Sequence, residues 1–143
     1  MKNIKIIALI FITSFLLNFA WEFLQSPLYD CFNDSLADNY SHYLLAIIWD
    51  SIYTILIYGI IAIINKDLGW IQNSLNRKNI AITVILWIIL AIFIEYKWVY
   101  ILWKWNYSNL MPMILGIGIM PLLQMMILPV LSFKIVRRLN SWY

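Results

Sequence analysis

Residues 4–24 read IKIIALIFITSFLLNFAWEFL, an apolar run that carries Asn18 and Glu22 near its end. A helix that crosses the hydrocarbon core of a bilayer needs about 20 predominantly apolar residues, so this run is long enough to span a membrane. It is longer than the apolar core of a secretory signal peptide, and no A-x-A cleavage site follows it. The segment therefore predicts a membrane span that is retained in the mature protein.

Three further runs have the same character. The chain is 64% hydrophobic and 12% charged, whereas soluble domains are about one-quarter charged. Its 143 residues are too few for more than one domain. We predict an all-α, integral-membrane four-helix bundle with up-down topology, forming a single transmembrane domain over residues 1–143. The expected spans cover residues 4–24, 44–64, 80–103 and 110–133.

Most of the basic residues lie at the termini and in the loop between the second and third spans, and this distribution predicts the orientation of the chain in the membrane. The positive-inside rule places the Lys- and Arg-rich side in the cytoplasm. Both termini are then cytoplasmic in a multi-pass protein of the cell membrane, and the loop 29–41 lies outside. A net charge of +3 that is spread over loops forms no patch for nucleic acid. The side predicted to be cytoplasmic carries Lys2, Lys5, Lys66, Arg77, Lys78, Lys134, Arg137 and Arg138.

Three carboxylates, Glu22, Asp50 and Glu95, lie inside expected spans. Ionisable groups are costly in hydrocarbon, so they usually face the interior of a bundle and serve a function. At a rise of about 1.5 Å per residue, each lies roughly 10 Å from the outer end of its helix. We expect the three acids to converge on a cavity that opens outward, as candidate catalytic groups for acid–base chemistry.

Neighbouring polar and aromatic residues complete the candidate site. Spacings of three and four place Ser14, Asn18, Glu22 and Gln25 on one stripe of the first helix, which must avoid lipid. The fourth span has Gln124, roughly 20 Å from the expected outer end and so deeper than the acids. The candidate substrate-binding residues are Asn18, Trp21, Gln25, Tyr53, Trp98 and Gln124.

Each acid also has a structural interpretation. Asp50 could cap or anchor the outer end of the second helix. Glu95 could pair with a nearby lysine, Lys97 or Lys104, and Glu22 could belong to a network that fixes helix packing. The tryptophans and tyrosines near span ends, Trp70 among them, fit an interfacial aromatic belt.

We expect no metal and no cofactor, because no known metal-ligand or phosphate-loop spacing occurs. A site that joins His42 to the carboxylates is the alternative to a lone interfacial histidine. Cys31 is the single cysteine and is expected to be a free thiol.

The segment 18–29, NFAWEFLQSPLY, resembles a motif of small, uncharacterised prokaryotic membrane proteins with four spans. Its N-x-x-W-E core, Asn18, Trp21 and Glu22, is similar to one in fungal integral-membrane terpene cyclases of meroterpenoid and indole-diterpene pathways. Those larger proteins are thought to protonate an epoxide or alkene with membrane-embedded acids. The resemblance implies acid chemistry on an isoprenoid, in a dimer or on a smaller substrate because this chain has fewer spans.

Three functions are therefore open from the sequence. The leading hypothesis is a membrane enzyme acting on an isoprenoid or other lipid, with Glu22 as the general acid. A proton- or cation-coupled small transporter is the second, and a noncatalytic subunit or assembly factor of a membrane complex is the third. The expected partners are membrane lipids and a hydrophobic small-molecule substrate, without nucleic acid, and a homo-oligomer is left open.

Overall fold

The computed structural model describes residues 2–30, 36–73 and 75–140. For residues 2 and 36–39 it describes the backbone only. Within these ranges the chain is helical apart from its connections and one small hairpin. A 3-10 turn (Ser26–Leu28) follows the first helix, and a π-helical turn (Lys97–Ile101) extends the fourth. The elements are α1 (Lys2–Gln25), α2 (Leu36–Asn65), α3 (Trp70–Asn73), α4 (Arg77–Tyr96), β1 (Met113–Ile114), β2 (Ile117–Gly118) and α5 (Ile119–Asn140).

Four helical segments are long and apolar enough to cross a membrane. Large apolar side chains such as Leu16, Leu56 and Ile89 are exposed along them, as expected where lipid rather than water covers the surface. The chain is therefore a multi-pass membrane protein of the helical-bundle type. The spans cover Asn3–Leu28, Tyr40–Asn65, Arg77–Ile101 and Ile119–Asn140.

Contacts between the helices give their relative directions. Gln25 at the end of α1 bonds Gln124 near the start of α5, and Thr13 bonds Ser132 further along. These two helices are therefore antiparallel. α1 also packs on α2, and α4 packs on α5.

The fourth span differs from the expected range of 110–133. Its helix begins at Ile119 because the chain first turns through Pro112 and the hairpin β1–β2. Leu115 and Gly116 form the turn with φ angles of 51° and 81°, and a two-residue type I′ turn requires positive φ at both positions. Gln124 therefore lies near the start of its helix, not deep within it.

The connection between α4 and α5 folds over the end of the bundle. We call residues 102–112 the cap loop, and this end the capped end. Tyr107 pairs with Tyr29 in an antiparallel bridge. The N–H of Asp30 donates to the Asn106 carbonyl at 3.0 Å, and the N–H of Ser108 donates to the Leu28 carbonyl at 2.9 Å. These backbone bonds tie the cap loop to the segment that follows α1.

An aromatic cluster fills the opposite end. Trp70 of α3 is fully buried, and its Nε1 donates to the Tyr58 carbonyl at 3.1 Å. Its ring stacks on Tyr58 and meets Phe133 edge-on, with ring centroids 5.4 Å apart. The assignment of Trp70 to an interfacial belt is therefore wrong, because the short helix α3 folds the ring inward against α2 and α5.

The first loop is shorter than the sequence predicted. α2 begins at Leu36, so His42 lies on a helix, where it is exposed. Cys31, expected to be a free thiol, lies outside the described residues.

We expect Gly116→Ala to destabilise the hairpin by about 1–2 kcal/mol, because an L-residue is strained at this positive φ. A Cβ there would also lie 2.7 Å from the Tyr100 hydroxyl. Gly59→Ala is the matched control, since nothing lies within 4 Å of its added Cβ and alanine favours a helix. Thermal unfolding in detergent measures both, and an unchanged midpoint for Gly116→Ala would contradict the assignment of the turn.

Candidate functional site

The side-chain amide of Gln124 joins three helices at the capped end. Its Nε2 lies 2.9 Å from Glu22 Oε1, 2.9 Å from Asn18 Oδ1 and 3.2 Å from Asp50 Oδ2. Its Oε1 accepts a hydrogen bond from Gln25 Nε2 at 2.9 Å. An amide nitrogen has two N–H donors, so it satisfies two of its three acceptors at a time. Gln124, which the sequence placed deeper than the acids, lies at their level because α5 begins later than predicted.

The polar stripe of α1 faces the interior of the bundle. Ser14, Asn18, Glu22 and Gln25 are all buried. Asn18 Nδ2 donates to the Ser14 carbonyl at 2.9 Å, and Trp21 Nε1 donates to Gln25 Oε1 at 3.1 Å. The stripe therefore places one carboxylate and two amides at the contact between α1 and α5.

Asp50 enters the same network from α2. It is buried, and Thr54 Oγ1, one turn further along, bonds both the Asp50 carbonyl and Ser14 Oγ. The interpretation of Asp50 as a cap at the end of its helix is wrong. α2 begins at Leu36, so Asp50 lies in the middle of the helix, where backbone N–H groups already have partners.

Glu95 reaches the site from α4. It is buried, and its carboxylate accepts a hydrogen bond from the hydroxyl of Tyr107 in the cap loop. Lys97 and Lys104 are exposed. The donor to Glu95 is therefore a neutral phenol that the fold brings from the cap loop, and not the lysine pair considered from the sequence.

Two tyrosines outside the spans, Tyr29 and Tyr107, lie within electrostatic reach of the acids. Burial raises the pKa of Tyr29, and the negative charges of Glu95, Glu22 and Asp50 add to the increase. Burial and then the charge of Glu95 raise the pKa of Tyr107 in the same way. Both phenols therefore keep their protons at neutral pH, and Tyr107 remains a donor to Glu95.

The donors that reach the acids limit how many of them can be ionised. Gln124 and Tyr107, which donate to these acids, carry no charge. Adjacent carboxylates in a buried site do not all ionise together when only neutral donors face them. The site therefore has carboxyl groups of the kind that can donate or accept a proton.

Two of the aromatic candidates, Tyr53 and Trp98, pack against other aromatic rings. The ring of Tyr53 packs between those of Trp49 and Trp87, with centroid distances of 5.7 Å and 6.5 Å. The contact with Trp87 is edge-on. Trp98 stacks on Trp105, with centroids 5.1 Å apart and planes 13° from parallel. Tyr53 and Trp98 therefore stay predictions as substrate-binding residues.

A cavity of about 130 Å³ lies beside Glu22, between α1 and α2. Phe19, Phe23 and Tyr40 at its rim are exposed. The cavity therefore opens at the side of the bundle between α1 and α2. The sequence led us to expect an opening at the outer ends of the helices, but the cap loop covers the end at which the acids lie. Its lining consists of Phe19, Glu22, Phe23, Tyr40, Tyr43, Leu44 and Ile47.

The described residues contain no group of three or more His, Cys, Asp or Glu side chains placed to hold a metal ion. His42 is exposed, two helical turns from Asp50. The polar groups that meet at the site are carboxyl, amide and phenol groups.

Sequence reasoning missed Tyr29 and Tyr107. Neither lies on a periodic stripe, so hydropathy and spacing carry no signal for them. The signal that could have found Tyr107 is the group Pro112, Gly116 and Gly118, which marks a turn and lengthens the loop before α5. A longer loop is able to fold back over the acids.

Comparison of the chain with protein-family models, with curated proteins and with solved structures finds no match. The likeness of Asn18, Trp21 and Glu22 to terpene cyclases therefore stays a prediction. What can be said of function depends on the geometry of the site.

We expect Gln124→Leu to destabilise the protein, because it leaves the acceptors of Asn18, Glu22 and Asp50 without their shared donor. Each buried polar group without a partner costs about 1–3 kcal/mol. Leu123→Met is the matched control, a volume-conserving change at a neighbouring exposed position that should have little effect. Thermal unfolding in detergent tests this, and equal midpoints for the two variants would show that the amide contributes nothing.

Proposed function

We propose that this chain is a membrane-embedded acid–base enzyme that acts on an isoprenoid or another apolar lipid. The observation that carries the proposal is that Glu22 is part of both the polar network and an apolar cavity. Its carboxyl belongs to the Gln124 network on one side and lines the apolar cavity between α1 and α2 on the other. An alkene in that cavity would meet a carboxyl group in surroundings from which water is largely excluded.

In this proposal Glu22 is the general acid. Its proton adds to an alkene carbon, the π electrons form the new C–H bond, and a carbocation results. Loss of a proton from a neighbouring carbon to the Glu22 carboxylate completes an isomerisation or, after ring closure, a cyclisation. Gln25, Asn18 and Gln124 orient the carboxyl, as such amides do for catalytic groups.

The other acids and the aromatic residues have supporting roles. Asp50 and Glu95 would stabilise developing positive charge, since negative groups in a dry site act strongly on a nearby cation. Trp21, Tyr53 and Trp98 would supply aromatic faces, which also favour cations. This chemistry is the kind that the resemblance to terpene cyclases implies.

We expect Glu22→Gln to abolish product formation by at least about 100-fold, the usual range for a removed general acid. The amide keeps the shape and hydrogen-bonding capacity of the side chain but has no acidic proton. Lipid and isoprenoid profiles of cells that express the wild-type chain or the variant, supplied with isoprenoid precursors, measure the effect.

Asp30→Asn is the matched control, because Asp30 is an exposed carboxylate outside the network. It should leave the profile unchanged. A lipid or isoprenoid that appears with the wild type and with Asp30→Asn, but not with Glu22→Gln at equal expression, would identify the product. Identical profiles for all three chains would reject the enzyme assignment.

A second candidate is a proton-coupled transporter, and one observation favours it. Buried hydroxyl groups continue from the network toward the middle of the bundle. Ser14 Oγ donates to Thr54 Oγ1 at 3.0 Å, and Thr13 Oγ1 lies 2.7 Å from Ser132 Oγ. Rows of polar groups inside a membrane protein are typical of proton pathways.

Thr54→Val separates the two candidates, since it removes a hydroxyl from the row while leaving Glu22 in place. A transporter would lose pH-driven flux in proteoliposomes with this variant and with Glu22→Gln. An enzyme would keep its product with Thr54→Val and lose it only with Glu22→Gln.

We also propose that the four spans run up and down in the cell membrane, with both termini in the cytoplasm and the capped end outside. Leu115 is almost fully exposed at the tip of the hairpin, so in a Cys31→Ser background Leu115→Cys should react with a membrane-impermeant maleimide in intact cells. Arg77→Cys, exposed at the other end, should react only after permeabilisation. The reverse pattern would invert the orientation.

A further inference from the structure

The end of the bundle opposite the cap loop has an open cavity that faces three cations. It has a volume of about 500 Å³, within the roughly 300–1,000 Å³ range of small-molecule sites. Its position is independent of the carboxylate site. The lining consists of Gln72, Leu75, Ile80, Lys134, Arg137 and Arg138.

The three cations share one face of α5. Lys134 and Arg137 are three residues apart, and Lys134 and Arg138 are four apart, so their side chains are neighbours on the helix surface. Like charges at neighbouring positions, such as Lys134 and Arg137, destabilise a helix, and a bound anion would offset that repulsion. Arginine is suited to this task because its planar fork matches a phosphate group.

Contacts on both sides hold Arg137 at the cavity. Its Nη1 lies 3.4 Å from the Leu75 carbonyl, and Gln72 Nε2 lies 3.4 Å from the Arg137 carbonyl. The first contact positions the Arg137 side chain and the second its main chain; both partners are neutral, so the charge of the guanidinium is not compensated by them. Asp67, in the connection between α2 and α3, accepts bonds from the Gly69 N–H and the Asn73 amide.

The cavity lies at the ends of two apolar spans, the level at which lipid headgroups meet acyl chains when a span crosses a bilayer. Ile80 lies in the first turn of the span Arg77–Ile101, and the cations lie in the last turns of the span Ile119–Asn140. Leu75 and Ile80 add apolar surface beside the charges. A ligand that carries both a phosphate and the start of a hydrocarbon chain fits this combination, and basic pockets between membrane helices bind such headgroups.

We propose that this cavity binds the phosphate group of an anionic phospholipid. The shared chemistry is a phosphate with net negative charge, so free inorganic phosphate is the other source to be tested. The site is separate from the proposed acid–base function, and neither depends on the other.

The test uses the full chain in detergent micelles. Phosphatidylglycerol is titrated in and compared with phosphatidylcholine at equal mole fraction, with the thermal midpoint as the readout, because a ligand that binds the folded state raises it. We expect a saturable increase with phosphatidylglycerol and none with phosphatidylcholine. Inorganic phosphate that raises the midpoint and displaces the lipid would assign the site to free phosphate, and no response to either anion would overturn the proposal.

Variants locate the site. Lys134→Gln combined with Arg138→Gln should weaken binding by about fivefold for each cation removed. The matched control, Lys66→Gln combined with Lys78→Gln, removes two cations from the same end that do not line the cavity, and should change affinity less than about twofold. Equal losses in the two double variants would mean general surface attraction and would overturn the proposal. The comparison of the two lipids on the wild-type chain holds even if a variant fails to fold.

Discussion

The cost of burying carboxylates in an apolar bundle governs the capped end of this protein. Glu22, Asp50 and Glu95 come from three different helices and are all buried. Lipid offers no hydrogen bonds, so their donors must come from the protein itself. Gln124 serves the first two and Tyr107 serves the third. The start of α5 and the path of the cap loop are therefore tied to the positions of the acids.

The identity of the donors matters as much as their presence. An arginine or lysine in the place of Gln124 would compensate part of the negative charge and favour the ionised form of a nearby acid. Neutral amide and phenol donors satisfy hydrogen bonds without supplying charge, so they leave the charge of any ionised acid uncompensated. Glu22 belongs to this network and also lines the apolar cavity between α1 and α2.

The two ends of the bundle differ in chemistry. The capped end has buried acids, neutral donors and a loop held by backbone bonds to the segment after α1. The opposite end has an aromatic cluster around Trp70 and exposed cations on α5. Acidic side chains therefore gather at the capped end, and basic side chains gather at the opposite end.

The sequence by itself determined the number of spans, their approximate bounds for the first three, and the inward stripe from Ser14 to Gln25. Apolar length and helical spacing are local properties, so one sequence is enough to read them. Only the tertiary structure decided that Gln124 joins the acids. Hydropathy counted residues 110–118 as membrane-spanning, whereas the hairpin turn at Leu115 and Gly116 delays the helix to Ile119. That delay removes roughly 14 Å of helix above Gln124 and brings its amide to the level of Glu22.

The role of Tyr107 as the donor to Glu95 could not be predicted from the sequence either. Its bond to Glu95 depends on a loop that closes back over the bundle, and a non-local contact of this kind has no periodic signature along the chain. Hydrogen bonds and packing between distant segments decided the donors of the site, while hydrophobic periodicity determined the helices that carry its acids.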